Sequence, residues 1–187
     1  TGGSTLTPTF SNMTTAGTYI FTLTVTDNGG LTATDSMTVT VNPAPLPDLT
    51  AGAPSPAVAT QSVATTFTST ISNAVSASTG VGFNNFFQVN NGSLGAGATT
   101  VDLASTAMAA LASGGSAIAT SPSYTFSLVQ TYSVRTCADK TNSASLGVIT
   151  ESNEGNNCGL WTNVTVAAAN VAPTAYAGIN RTITLPT

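Results

Sequence analysis

A hydrophobic period of two runs through most of this chain. In TYIFTLTVT, residues 18–26, Tyr19, Phe21, Leu23 and Val25 fall on one side, with Ile20 and four threonines on the other. That is the spacing of a half-buried strand. DNGG follows at 27–30, and its Asn28-Gly29 pair can take the positive φ angles of a tight turn. Met37, Val39 and Val41 then alternate with threonines, so residues 18–41 are predicted to form a β-hairpin. Further strand-like runs occur at 65–72, 82–89, 123–137 and 158–166. Their spacing and turn signals predict a sandwich of about seven strands. The segment DLASTAMAALASGG (102–115) has helix-forming alanines, an Asp102 cap and a Gly-Gly stop. Its interspersed Ser and Thr, and its β surroundings, favour strand and loop.

Proline marks the boundaries. NPAPLP (42–47) has three prolines in six residues, and proline cannot donate to a sheet ladder. The predicted division is a partial domain at 1–43, a linker at 44–47, a complete sandwich at 48–168 and a tail at 169–187. The tail carries one short strand, RTITLP, with nothing after it to pair with. Residues 1–41 supply only the closing strands of a sandwich. The fold expected is therefore all-β, with two antiparallel sandwiches in tandem, the first incomplete without an added strand.

Composition adds that solubility rests on hydroxyls, because charged residues make up only 5% of the chain while it holds 36 Thr and 20 Ser. Three cations, Arg135, Lys140 and Arg181, stand against seven carboxylates, which leaves no basic footprint for nucleic acid or anionic lipid. No run of eighteen apolar residues and no signal peptide occurs, so a mature segment without membrane insertion is expected. Cys137 and Cys158 are the only cysteines and histidine is absent, which removes the usual zinc sets and any Cys-His dyad. A disulfide between them is expected, and it implies an oxidising compartment.

Much of the chain's distinctive chemistry collects between those cysteines. Asp139, Glu151, Glu154, Asn156 and Asn157 are hard oxygen donors of the kind calcium prefers, on a loop read as a hairpin tied at its base. The competing reading, which is preferred, puts the asparagines in turns and has the glutamates accept backbone N–H bonds. Glu151 and Glu154 as a glycosidase pair are disfavoured, since they lie three residues apart on one loop instead of across a cleft. Lys140 in an amide crosslink is likewise disfavoured against a solvated lysine. Trp161, Phe83, Phe86 and Phe87 could form a sugar platform, but core packing explains most of them. Adjacent Phe86 and Phe87 must point to opposite faces of a strand, and subunit packing is the expected role of the outer one. Sequons at Asn12, Asn91, Asn163 and Asn180 are no more than chance supplies, while the abundant hydroxyls allow surface glycans.

Residues 16–41, AGTYIFTLTVTDNGGLTATDSMTVTV, resemble the closing half of a PKD-type immunoglobulin-like domain, and NVAPTAYAGINRTITLP (170–186) resembles its opening. Between them, PDLTAGAPSPAV (47–58), YSVRTCADKTN (132–142) and VITESNEGNNC (148–158) resemble a CARDB module of prokaryotic cell-surface proteins. The resemblance implies a non-enzymatic, extracellular structural protein. The order of closing half, whole module and opening half implies a head-to-tail homopolymer. In it Thr182, Ile183, Thr184 and Leu185 would complete the neighbour's sheet at Tyr19, Phe21 and Leu23. The alternative is a spacer or carbohydrate-binding module of a larger adhesin or hydrolase.

Overall fold

The computed structural model describes residues 13–74, 77–178 and 180–186, so the sequon at Asn12 lies outside the described residues. The chain is all-β and divides into two compact units, Thr1–Leu46 and Pro47–Thr187.

In the first unit, β1 (Gly17–Thr26) pairs antiparallel with β2 (Thr32–Val41) in unbroken register from Gly17 opposite Val41 to Thr26 opposite Thr32. The turn differs from the two-residue Asn-Gly type expected. Asp27 Oδ1 accepts the N–H groups of Gly29 and Leu31, at 2.9 and 2.8 Å, and Gly30 N donates to Asp27 O. Gly30, rather than Asn28, takes the positive φ of 84°. The aspartate before the Asn-Gly pair competes for the turn's amides and widens it. One face of the hairpin carries Tyr19, Phe21, Leu23 and Val25 beside Val39, Met37, Asp35 and Ala33. The other is almost wholly hydroxylated, Thr18, Thr22, Thr24 and Thr26 standing opposite Thr40, Ser36, Thr34 and Thr32. The half-burial expected of β1 is met only at Tyr19 and Phe21, because Leu23, Val25 and Met37 are 52%, 54% and 44% exposed.

The second unit is a sandwich. Its smaller sheet has β6 (Thr68–Asn73) between β3 (Leu49–Ala51) and β10 (Ser116–Thr120). The larger runs β4 (Val58–Thr60), β13 (Thr162–Ala167), β12 (Thr131–Cys137), β7 (Phe83–Asn90) and β8 (Thr100–Asp102), with β9 (Thr106–Met108) also on β7. A short ladder joins β5 (Ala64–Thr65) to β11 (Tyr124–Thr125). Inward residues of the two sheets, including Leu49, Phe67, Ile71, Phe83, Phe87, Val89, Val134, Val164 and Val166, close one core. Phe126 anchors an aromatic group with Phe67, Tyr124 and Tyr132, its ring centroid 4.7–6.2 Å from theirs.

These strands are shorter and more numerous than the seven expected. The run at 65–72 breaks before β6 because Phe67 turns fully inward and gives its N–H to Ser121 Oγ rather than to a ladder. The run at 123–137 breaks between β11 and β12. Residues 102–115 form strand and loop. Asp102 closes β8 and accepts from Gln88 Nε2 and Ser143 N instead of capping a helix.

Candidate functional site

The loop between the cysteines is not a hairpin. Cys137 and Cys158 are disulfide-bonded and meet in an isolated bridge, but the residues between them form turns and bends without a ladder. The loop is organised by buried side chains. Asp139 takes a left-handed φ of 47°, and its Oδ2 accepts from Val148 N (2.8 Å) and Ile149 N (2.7 Å). Gly147 beside it is obligatory: an added Cβ would fall 2.3 Å from Asp139 Oδ2. Glu151 Oε2 accepts from Leu49 N at 2.5 Å, and Oε1 from Asn157 Nδ2 at 2.6 Å. Glu154 Oε1 accepts the N–H of Glu151.

The same loop fastens the first residues of the sandwich. Ser152 N donates to Pro47 O, Asn156 Nδ2 to Asp48 Oδ1 and Leu49 N to Glu151, three successive attachments just after the proline linker. Burial raises the Glu151 carboxyl above its ordinary range; Leu49 N and Asn157 oppose the rise, while Glu154 and Asp139 add repulsion. Burial likewise raises Asp139 against the pull of Ile149 N and Val148 N.

This chemistry fits a carboxylate clasp for amides better than a cation cage. Both Glu151 oxygens and Asp139 Oδ2 already accept N–H bonds, and among the described residues no three His, Cys, Asp or Glu side chains come together as a metal-binding group. Asp139 Oδ1, Asn156 Oδ1 and Asn157 Oδ1 are buried without a hydrogen-bond partner. Buried acceptors of this kind suit ordered water, which donates two bonds. Glu151 and Glu154 touch through a backbone amide on one loop, the Glu151 N–H donating to Glu154 Oε1. Lys140 Nζ donates to Ser145 O at 3.0 Å.

The outer face of the larger sheet is covered by the chain itself. Phe83 and Phe87 point into the core. Phe86 points outward, yet it is only 1% exposed. Its register partner is the disulfide-bonded Cys137, and the loop is pinned nearby by Lys140 N to Asn84 O and Ser143 N to Asp102 Oδ2. The subunit-packing role expected for the outward phenylalanine is therefore corrected: an intramolecular lid buries it. Trp161 does not present a free platform. The Arg135 guanidinium lies 4.6 Å from its ring centroid, and Gly95 sits so close that a Cβ would lie 2.5 Å from the indole. Arg135 Nε in turn donates to Gln88 Oε1, and Gln88 Nε2 to Asp102. Burial opposes ionisation of Asp102, but the bonds from Ser143 and Gln88, with the Arg135 charge, outweigh it and lower its pKa. Sequence reasoning missed this chain of contacts, whose only signal was three polar residues at outward positions of strands.

Asn163 Oδ1 accepts from Leu94 N and Ser93 Oγ, so that sequon asparagine is occupied in holding the 91–99 loop. Asn91 and Asn180 are exposed.

Two stretches of exposed apolar residues among those described bear on assembly. One is the hairpin face of Leu23, Val25 and Met37. The other is the tail, where described residues 168–178 and 180–186 form no strand and Val171, Tyr176, Ile183 and Leu185 are 82–88% exposed. The short strand expected at RTITLP is absent from the described residues because the chain offers it no ladder partner. Thr182, Ile183, Thr184 and Leu185 are all exposed, as is Leu23, while Tyr19 and Phe21 are half-buried.

Residues 1–41 match the family described as K319L-like, PKD domain. The chain is also similar to a crystal structure of the CARDB domain of the PF1109 protein from Pyrococcus furiosus in complex with di-metal ions. That likeness has 18% identity and TM-score 0.47, covering 65% of this chain and 90% of that one. A solution NMR structure of the same domain gives 19% identity and TM-score 0.44, covering 65% and 96%. No curated protein matches the chain.

Proposed function

We propose that the chain is a structural repeat subunit of an extracellular, prokaryotic cell-surface filament or stalk. Subunits assemble head to tail, the tail of one copy completing the sheet of the next copy's hairpin. The observation that carries this reading is the pair of complementary uncovered surfaces: an apolar hairpin face and an exposed, alternating tail. An extended segment added to a sheet edge gains ladder hydrogen bonds and pockets for alternate side chains. Contacts between unlike surfaces that do not close into a ring propagate into fibres. The disulfide suits an oxidising exterior. No enzymatic step is assigned, since the only paired glutamates are bound to loop amides. Calcium is not needed to shape the loop, whose carboxylates already accept N–H bonds.

Negative-stain microscopy of the purified chain, beside a version lacking residues 170–187, tests the reading. Filaments that vanish on truncation support it. Monomers in both samples overturn it in favour of a spacer module within a longer secreted protein. A carbohydrate-binding role is disfavoured by the engaged indole of Trp161.

A further inference from the structure

The hairpin's apolar face contains one charge. Asp35 stands opposite Leu23 in the ladder, on the same side as Phe21, Met37 and Val39. It is exposed, and its Oδ1 accepts only the neighbouring Ser36 N. Asp27, at the turn, is engaged by Gly29 N and Leu31 N. On the cationic side, Arg135 is held by Gln88 and Trp161, and Lys140 by Ser145 O. Arg181 is the third cation of the chain and the only charged residue in the tail; it is exposed and makes no hydrogen bond or ion pair among the described residues.

We infer that Arg181 of one copy pairs with Asp35 of the next and sets the register of the donated strand, which runs parallel to β2 along its free edge. This rests on the assembly proposed above and specifies its contact. With period two, Arg181, Ile183 and Leu185 share a face, as do Asp35, Met37 and Val39. Parallel addition sets Ile183 beside Met37 and Leu185 beside Val39. It also sets Thr182 and Thr184 beside Ser36 and Thr38 on the hydroxyl face. Pro186 then ends the ladder, since it cannot donate. The antiparallel alternative puts Ile183 beside Ala33 and carries Leu185 past Thr32, where β2 begins. A one-residue slip would place Ile183 and Leu185 among the hydroxyls. A two-residue slip preserves the faces and is excluded only by charge, because it sets Arg181 against Met37 or Ala33 and strands Asp35 under an apolar cover. Neighbouring strands lie about 4.8 Å apart, within reach of an arginine-carboxylate bond.

The test uses the full-length chain and follows assembly by light scattering and microscopy. Asp35→Arg and Arg181→Asp should each raise the concentration needed for assembly about tenfold or more, through like-charge juxtaposition or an unpaired charge. The double variant D35R/R181D should recover to near the parent level and, mixed with the parent, sort into separate filaments. As a measure that does not depend on charge, T38C/T184C should form intermolecular disulfides under mild oxidation, while T34C/T184C should not. Single variants that assemble like the parent, a double variant no better than the singles, or crosslinking of the second cysteine pair in place of the first would overturn the register while leaving strand donation standing. A parent chain that never assembles, or that assembles without residues 170–187, would remove strand donation itself and this contact with it.

Discussion

Glu151 joins three segments through two oxygens, and its substitutions separate charge from bonding. Glu151→Ala leaves Leu49 N and Asn157 Nδ2 buried without acceptors, and is expected to lower stability by about 2–4 kcal/mol in urea unfolding. Glu151→Gln should be much milder, because Asn157 can rotate its side-chain amide and offer its unpartnered Oδ1 to the new amine. The charge has its own signature. Both Glu151 and Asp139 have folded pKa values raised by burial, so the folded state holds their protons more tightly than the unfolded one. Their contribution is fully present below the unfolded values and is lost as pH rises through the folded ones. Asp102 acts oppositely, its lowered pKa withdrawing stability only as pH falls through it. The urea midpoint is therefore expected to fall between about pH 4 and pH 7, and Glu151→Gln should flatten that slope. A midpoint that climbs over this range would contradict the assignment.

At the level of elements, the disulfide and the hairpin were legible in the chain and the loop was not. Two cysteines without histidine left one plain partner for each other, and strict alternation through 18–41 marked a hairpin that formed, its register set by the wider turn at Asp27. The turn was misread because an Asn-Gly pair signals a tight turn only when no neighbouring aspartate takes its amides. Residues 138–157 carry no period at all. Their conformation depends on Glu151 and Asn156 reaching Leu49 and Asp48, over a hundred residues away, and on Asp139 gathering Val148 and Ile149 from within the loop, which no local pattern records. Phe86 was ambiguous for the same reason: its orientation follows from alternation, but its cover comes from the loop. Replacing Cys137 and Cys158 by serine should lower stability by about 3 kcal/mol in the chain-entropy account, with an extra loss where Phe86 is uncovered. Fluorescence of Trp161, which lies three residues from Cys158, would report both the loss and loosening of the loop.

Over the whole molecule, metal dependence separates the two readings of the acidic loop. Treatment with a strong chelator is expected to leave the melting temperature unchanged, because both Glu151 oxygens and Asp139 Oδ2 already hold protein donors. A fall of several degrees would favour the calcium reading. Filament formation should likewise be indifferent to calcium and sensitive to salt, since a single exposed charge pair is screened at high ionic strength. The loop's attachment to Pro47, Asp48 and Leu49 has a mechanical meaning in such a filament. Tension entering there crosses by parallel bonds to Ser152, Glu151 and Asn156. It then follows a short covalent path past Cys158 and along β13, a strand laddered on both edges, to Ala167 and the tail. Should the clasp slip, the cross-link withholds the slack of the loop, and the module yields later and extends less than its length allows.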